Sequence, residues 1–377
     1  PLCIAYRDKQ ICGVPPPSAG GIAVAQILGV LQNFDMAQHR PTDVDRNGGR
    51  PAVQGVHLVA EAERLAYADR DRYVADTDFV PLPGGSPQTL LGSDYLAGRA
   101  ALISPQHSMG TAKPGEFGPP VVPAPQQPEH GTTQVSVIDK NGDAASFTSS
   151  IEAAFGSFHM VDGFLLNNQL TDFSWQPKEK DGAPAANAVA PGKRPRSSMA
   201  PAIVLDRQGH FVAAVGSPGG PSILGYNLKG LVAILDWKMP VQAALALPNM
   251  VARGSVYGTE IDKMPASVVE GLKAKGVALT NGAGAEGSGL HAIKATANGL
   301  EGGAEGRGVA GMGDGDLEGR KFPRGRDEAR IAHVAVTLAH LNSPFPAMPA
   351  DRSAPRQVSL QRDGGGIGDA TATSGEQ

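Results

Sequence analysis

Two β-hairpin patterns in the middle of the chain constrain its fold more than any other feature. In the first, the residues QVSV (134–137) alternate polar and apolar side chains, and Asn141-Gly142 follows as a strong two-residue turn signal before a second strand that continues to Ile151. In the second, AIVLD, RQGH and FVAAVG form a strand, a turn and a strand over residues 202–216. Hairpins of this kind predict antiparallel sheets.

Helical patterns lie on either side of these hairpins. After PPPSAGG (15–21), apolar residues at i, i+3, i+4 and i+7 from Val24 to Leu31 predict an amphipathic helix, and the prolines with Ser18 mark its start. A further apolar helical stretch follows the second hairpin and extends to Trp237. Helices that flank two antiparallel hairpins predict an α+β sandwich whose sheets are covered by helices.

A second early helix is predicted after a polar, glycine-rich stretch (43–51), which we expect to be a loop. Leu58, Ala62 and Leu65 line one face of this helix. We expect its charged residues to lie mostly on the other faces: Glu61, Glu63, Arg64 and Asp69.

Composition excludes several classes of protein. The 377 residues carry 33 Lys+Arg and 37 Asp+Glu, a net charge of −4 that argues against a nucleic-acid-binding protein. No HExxH or CxxC spacing predicts a metal site, and no apolar run reaches the roughly 18 residues of a membrane span. Cys3 and Cys12 are expected to be small core residues, with pairing across a short hairpin as the alternative. Because the sequence opens at Pro1 in a strand pattern, we expect the C-terminal part of a longer chain.

Other stretches lack a regular pattern. Six prolines between His107 and Gly131 predict an extended, exposed linker of the kind at which a chain can be cut. Residues 282–287 (GAGAEG) match G-x-G-x-x-G, but a strand pattern follows instead of a helix, so we predict a glycine-rich hairpin loop and not a dinucleotide site. Beyond Gly319 only the apolar stretch 331–340 stands out, and the last residues are expected to be disordered.

Six longer motifs give the sequence its clearest resemblance: PPPSAGGIAVAQILGVLQNFD, AEAERLAYADRDRYV, TTQVSVIDKNGDA, GFLLNNQLTDFS, RPRSSMAPAIV and GSPGG. Their order and spacing resemble the γ-glutamyltransferases of the N-terminal-nucleophile hydrolase superfamily. The resemblance implies a four-layer αββα sandwich, present in part because the N-terminal portion of the large subunit is absent. It also implies a precursor that cuts itself: residues 1–131 would end the large subunit, 132–318 would form the small catalytic subunit, and 319–377 match neither.

The resemblance places the cleavage between Gly131 and Thr132, and the chemistry of threonine explains why a cut is needed. A threonine hydroxyl is a weak nucleophile that requires an adjacent base. Cleavage gives Thr132 a free α-amino group, whose unperturbed pKa of about 7.7–8 lets it accept a proton near neutral pH. One residue then supplies both nucleophile and base. A threonine that merely caps a strand is the alternative.

Further roles follow from the resemblance, position by position. Gly219 and Gly220 match backbone donors of an oxyanion hole, and Ser150 matches a hydroxyl that supports the nucleophile. The remaining matches concern a glutamyl substrate: Ser197 and Ser198 for its α-carboxylate, Asp172 for its α-ammonium, and Gln169 beside Asp172. No cofactor is implied, because nucleophile, base and donors are all protein groups.

Three departures keep other functions open. Glu152 stands where well-known transferases have asparagine, and an acid there is associated with acylase-like branches that hydrolyse glutaryl and cephalosporin-type amides. The segment between Asp172 and Ser197, which would form the loop that covers the glutamate pocket, is short. We therefore expect a reduced cover, through which water reaches the acyl-enzyme more readily and favours hydrolysis over transfer. The arginine that grips the glutamate α-carboxylate has no match in this chain.

The expected function is hydrolysis or transfer of γ-glutamyl groups from glutathione-like amides to water or an amine acceptor. An acylase of the same mechanism and an inactive, truncated remnant are the alternatives. The expected partners are the small-molecule substrate and the two subunits of one precursor, and no nucleic acid or membrane. Because members of the family are usually exported, we expect a periplasmic or extracellular location.

Overall fold

The predicted hairpins and helices are present in the structure, a computed structural model that describes residues 1–117, 132–139, 141–153, 155–179, 182–282 and 288–305 and the backbone of 333–338. All of these residues belong to one unit, Pro1–Leu341. The described helices are α1 (Gly20–Leu31), α2 (Val53–Tyr73), α3 (Gln88–Leu91), α4 (Ser93–Ala100), α5 (Ile223–Leu235), α6 (Val241–Ala246) and α7 (Ala266–Ala274).

The described strands group into one six-stranded sheet, two three-stranded sheets and two two-stranded sheets; the six-stranded sheet and the three-stranded sheet that contains Thr132 are called the two large sheets below. In chain order they are β1 (Leu2–Tyr6), β2 (Lys9–Gly13), β3 (Thr42–Asp45), β4 (Gly48–Arg50), β5 (Thr132–Ile138), β6 (Ala144–Ser150), β7 (Met160–Val161), β8 (Phe164–Leu165), β9 (Ala202–Leu205), β10 (Phe211–Gly216), β11 (Met250–Arg253), β12 (Val256–Thr259), β13 (Leu279–Asn281), β14 (His291–Thr296), β15 (Gly299–Ala304) and β16 (His333–Leu338).

The first large sheet is antiparallel, with the strand order β1-β2-β9-β10-β14-β15. It contains the hairpin predicted at 202–216. Helices α1, α5 and α6 pack against this sheet, and α1 is buried on every side because α2, α4 and α5 also surround it. Side chains such as Ile27 and Leu28 are fully buried, and each contributes about 1.5–3 kcal/mol through removal from water.

The second large sheet, β16-β5-β6, packs against β10 and β14 and contains the hairpin predicted from residue 132. Its polar side chains face inward: Thr132, Gln134 and Ser136 are buried, whereas Val135 and Val137 are half-buried and face the other way. The described residues therefore provide a helical layer and two sheets of the predicted αββα sandwich. The α+β class is confirmed.

One local expectation was wrong. Residues 43–51 contain the hairpin β3–β4 instead of a loop. The hairpin loop predicted at 282–287 falls almost entirely on residues outside the described ones; of the strands on either side, β13 pairs with β12, and β14 pairs with β10 and β15. Residues 283–287 and most of the chain beyond residue 305 lie outside the described residues, as do 118–131 of the predicted linker.

The preferred expectation for the cysteines was also wrong. Cys3 and Cys12 form a disulfide. They occupy directly opposite positions in the β1–β2 ladder, so the hairpin itself brings their Cα atoms to 4.1 Å.

The charged residues of α2 are buried, contrary to expectation. The Glu61 carboxylate accepts hydrogen bonds from the Ser108 hydroxyl at 2.6 Å and the Met109 N–H at 2.7 Å. The Asp69 carboxylate accepts one from the Gly115 N–H at 2.7 Å. Because buried backbone groups need partners, the carboxylates of this helix satisfy an irregular segment that has no ladder of its own.

Within the described residues, no helix is both long and apolar enough to cross a membrane.

The substitution Glu63→Gln is expected to remove part of the pH dependence of stability. Burial raises the pKa of the Glu63 carboxyl from 4.5 to about 8, so the folded protein retains a proton that the unfolded chain has lost. This stabilisation is fully present below about pH 4.5 and is lost as the pH rises towards about 8. Between about pH 5 and pH 8, urea denaturation should show the wild-type unfolding free energy falling up to about 3–5 kcal/mol more than that of the variant.

The exposed residue Glu270 on α7 provides the control, and Glu270→Gln should keep the wild-type dependence. An equal fall in the wild type and Glu63→Gln contradicts the prediction.

Candidate active site

Thr132 and Thr133 begin β5 side by side, but only Thr132 faces the interior. Thr132 is 3% exposed, and its hydroxyl donates to the Ser150 hydroxyl oxygen at 3.1 Å. Thr133 lies on the opposite face, where its hydroxyl bonds the Ser149 carbonyl. The two-residue period of a strand thus selects Thr132 for the inner face, and the ladder places it opposite Ser150. Gly131 lies outside the described residues.

Ser150 connects the nucleophile position to Glu152. The Ser150 hydroxyl oxygen also accepts the Glu152 N–H at 2.9 Å. Glu152 is 3% exposed and has a φ of 74°, a left-handed conformation that is unfavourable for a residue with a side chain. The side-chain amide of Asn168 holds this turn, because it donates to the Glu152 carboxylate and accepts the Ala153 N–H at 2.8 Å.

Gln169 and Asp172 follow Asn168 in a single 3₁₀ turn (Gln169–Asp172). The Gln169 amide donates to the Asp172 carboxylate at 2.6 Å, so the two predicted residues are in contact. The backbone carbonyl of Asp172 accepts the Asn187 side-chain amide at 2.7 Å, and the oxygen of that amide accepts the Arg196 N–H at 2.9 Å. Asn187 therefore joins the Asp172 turn to the strand-like segment of Ser197 and Ser198.

Sequence reasoning did not identify Asn187. It is buried in an irregular segment, and an asparagine in such a segment is ordinarily interpreted as a turn residue. Its only signal is its position between the GFLLNNQLTDFS and RPRSSMAPAIV motifs.

The serine pair is anchored from two sides. The Ser197 carbonyl accepts the Ala19 N–H at 2.8 Å, just ahead of α1. The Ser198 hydroxyl is 2% exposed and accepts a hydrogen bond from the Arg70 guanidinium of α2. Arg70 is the second residue that sequence reasoning did not identify, because a charged residue near a helix end usually lies in solvent.

Gly219 and Gly220 lie between β10 and α5, with φ angles of 131° and 54° that favour glycine. Neither N–H donates to an acceptor among the described residues, and both precede the N-terminus of α5, where the helix dipole favours negative charge. The Tyr67 hydroxyl of α2 bonds the next carbonyl, that of Pro221, at 2.6 Å. The loop is thus held in place by α2, and the N–H groups of Gly219 and Gly220 have no recorded acceptor among the described residues.

A cluster of charges lies below the serine pair. The Asp71 carboxylate forms ion pairs with Arg70 at 2.5 Å, Arg253 at 2.9 Å and Arg196 at 3.7 Å. Burial raises the pKa of the Asp71 carboxyl, but the charges of the three arginines outweigh burial and hold the pKa well below its usual range. Burial, together with the charge of Arg70, lowers the pKa of Arg196 to about 9.

These contacts form one connected series from the nucleophile position to the serine pair: Thr132, Ser150, Glu152, Asn168, Gln169, Asp172, Asn187, Arg196, Ser197 and Ser198. Every predicted site residue that the structure describes belongs to this series or to the glycine loop. No His, Cys, Asp and Glu side chains of the described residues are grouped as metal ligands. The described residues thus include a buried threonine hydroxyl, two backbone N–H groups, a carboxylate and a serine pair that is hydrogen-bonded to an arginine.

Comparison with known proteins identifies the family of this chain. Residues 1–313 match the family model described as gamma-glutamyltranspeptidase. The chain is 38% identical over 259 residues to the glutathione hydrolase proenzyme of Escherichia coli (strain K12), covering 66% of this chain and 41% of that protein. It is 31% identical over 278 residues to the acylase ACY 1 proenzyme of Pseudomonas sp. (strain SE83), covering 73% and 45%.

Among solved structures, the cephalosporin acylase from Bacillus halodurans superposes with a TM-score of 0.64 at 22% identity, over 81% of this chain and 51% of that one. This match confirms the N-terminal-nucleophile hydrolase fold. The chain spans less than half the length of both curated relatives. On the family model and the sequence identities, the chain belongs to the gamma-glutamyltranspeptidase family.

Proposed function

We propose that the protein hydrolyses and transfers γ-glutamyl groups of glutathione-like amides, with Thr132 as the nucleophile. The observation that carries this proposal is the inward position of Thr132 at the start of β5, bonded to Ser150 and connected to Asp172 and the serine pair. The names of the relatives support it, since several are glutathione hydrolase proenzymes.

The first chemical step is self-cleavage of the Gly131–Thr132 bond: the Thr132 hydroxyl oxygen attacks the Gly131 carbonyl carbon and the C–N bond breaks as an ester forms. Water then hydrolyses this ester, which leaves a carboxylate on Gly131 and a free α-amino group and hydroxyl on Thr132. That group takes the proton of the Thr132 hydroxyl as its oxygen attacks the γ-carbonyl carbon of the substrate. The N–H groups of Gly219 and Gly220 stabilise the tetrahedral oxyanion. The C–N bond then breaks, the leaving amine takes the proton from the α-ammonium group, and an ester remains on Thr132. Water or an acceptor amine attacks this ester, the Thr132 α-amino group takes its proton and returns it to the departing Thr132 oxygen, and the glutamyl group leaves as glutamate or as a new γ-glutamyl amide.

In this proposal, two positions in the connected series bind the two charged groups of the glutamyl unit. The Asp172 carboxylate pairs with the α-ammonium of the glutamyl group, and Gln169 orients that carboxylate. Ser197 and Ser198 receive the α-carboxylate. Asn187 fixes the spacing between the two binding positions because it bonds to both segments.

A specific observation favours a second candidate, an acylase that acts on glutaryl-type amides. The buried Glu152 carboxylate lies two residues from Ser150, at the position where the resemblance to the well-known transferases would place an asparagine. Acylase ACY 1 is also among the relatives. Both candidates use the same nucleophile and differ in whether the α-ammonium group of the substrate is required.

The location and processing of the protein are part of the proposal. A disulfide such as Cys3–Cys12 is typical of an oxidising compartment, which supports a periplasmic or extracellular location. Relatives named as proenzymes support a precursor processed into a segment that ends at residue 131 and a catalytic segment from 132 to about 318.

Thr132→Ala is expected to abolish self-cleavage of protein expressed from the complete reading frame, because the attacking hydroxyl is absent. Intact mass and N-terminal sequencing should show a new chain that starts at Thr132 in the wild type and a single uncut chain in the variant. Thr133→Ala is the matched control, since this hydroxyl lies on the other face of β5, and it should be cut like the wild type. An uncut wild-type protein would support the inactive remnant instead.

The choice between the two candidates depends on Asp172. The wild type is expected to hydrolyse γ-glutamyl anilide with a higher kcat/KM than glutaryl anilide, because only the former carries the ammonium group that Asp172 binds. Asp172→Asn should lower kcat/KM for the γ-glutamyl substrate by about 10–100-fold and leave the glutaryl substrate nearly unchanged. A wild-type preference for the glutaryl substrate would favour the acylase.

A further inference from the structure

The contact between α2 and the serine pair has a role that the mechanism above does not use. Arg70 and Ser198 are 1% and 2% exposed, and the Arg70 guanidinium donates to the Ser198 hydroxyl oxygen. Arg70 is held in place by the Asp71 carboxylate at 2.5 Å. A buried guanidinium in a fixed position is a directional donor, since its planar geometry determines where its N–H bonds point.

The direction of this hydrogen bond decides what the Ser198 hydroxyl can do. Arginine has donors and no acceptor, so the Ser198 oxygen accepts and its own proton remains free to be donated. No acceptor for that proton is recorded among the residues that the structure describes. A carboxylate, which offers only acceptors, is the group that complements a buried hydroxyl in this state.

The surrounding charge also favours an anion. Arg70, Arg196 and the partly exposed Arg253 each form an ion pair with the Asp71 carboxylate. Of these three guanidinium groups, the described contacts place Arg70 at the Ser198 hydroxyl. The positive charge of Arg70 therefore favours a negative group beside Ser198.

On the proposed function, which this inference deepens, we propose that Arg70 is a positioning residue for the substrate α-carboxylate and acts through Ser198. By donating to the Ser198 oxygen, Arg70 leaves the Ser198 hydroxyl to act as a hydrogen-bond donor to the substrate. It also contributes positive potential at the same point.

The position of Arg70 on α2 also bears on the length of the substrate that fits. Tyr67 and Arg70 are three residues apart on one side of the helix. Tyr67 bonds Pro221 beside the glycine donors, and Arg70 bonds Ser198. A single rigid helix therefore fixes the separation between the position of the γ-carbonyl group and the position of the α-carboxylate.

Arg70→Gln tests this role with two anilide substrates, γ-glutamyl and 4-aminobutyryl, of which the second lacks only the α-carboxylate. For the γ-glutamyl substrate kcat/KM is expected to fall about 10–100-fold, mainly through KM, and for the 4-aminobutyryl substrate less than about threefold. Equal losses for both substrates would overturn the proposal, because they would indicate general disruption. No loss for the γ-glutamyl substrate would also overturn it.

Two variants serve as controls. Arg253→Gln removes another guanidinium from Asp71, but the Ser198 hydroxyl bonds Arg70 instead, so the ratio of the two substrates should stay at the wild-type value. Ser198→Ala should reproduce the selective loss, and its combination with Arg70→Gln should add little, because Arg70 acts through Ser198. If Arg70→Gln fails to fold, as judged by circular dichroism, Ser198→Ala carries the test, and a non-selective loss there overturns the proposal.

A binding measurement separates this inference from the proposed function. By calorimetry with the processed protein, Arg70→Gln should weaken glutamate binding about 10–100-fold and leave 4-aminobutyrate binding unchanged, whether or not γ-glutamyl amides are turned over. Selective weakening without turnover would reject the proposed function and retain the inference. Equal glutamate affinity in the wild type and the variant would overturn the inference, even in an active enzyme.

Discussion

The Asp71 carboxylate is the interaction that joins the segments of the candidate site. Its partners come from three separate parts of the chain: Arg70 from α2, Arg253 from β11, and Arg196 from the segment that leads into the serine pair. Arg70 and Arg196 are buried, and guanidinium groups close together repel one another strongly where water is excluded. The Asp71 carboxylate offsets part of this repulsion, and its removal would leave the buried arginines with less compensating charge.

Helix α2 extends this principle along its length. Its carboxylates Glu61 and Asp69 bond the irregular residues between 104 and 117, and its Tyr67 and Arg70 bond the two segments that supply donors to the site. A purely apolar helix would bury area equally well but would leave those backbone and hydroxyl groups without partners. The polar contacts therefore fix irregular segments at defined positions, and a site built from loops requires this.

The elements that could be predicted from the sequence are those whose pattern is local. The hairpins around Asn141 and residues 206–210 and the helix that begins near residue 20 follow directly from period and turn chemistry. The burial of the charged residues of α2 could not be predicted. The sequence does not distinguish a charged residue that faces water from one that pairs with a buried partner distant in the chain. The same holds for the contact of Asn187 with Asp172 and that of Arg70 with Ser198, which join residues 15 and 128 positions apart. The pairing of Cys3 with Cys12 depended on register, which a two-strand pattern of five residues did not specify.

The inward polar face of β5 explains how the surroundings of Thr132 can be both buried and polar. Gln134, two residues after Thr132, donates to the Ser136 and Ser146 hydroxyls and accepts from Thr148. These polar side chains on the inner face of the β5–β6 hairpin therefore find hydrogen-bond partners within the hairpin. The opposing strand β10 leaves room for this, since a Cβ at Gly216 would lie 2.3 Å from the Gln134 amide. Burial lowers the pKa of the neighbouring His291 to about 4, so this residue is neutral at pH 7 and places no charge beneath the strand. A close, neutral and hydrogen-bonded contact between the two sheets thus sets where β5 begins, and with it the position of the Thr132 hydroxyl.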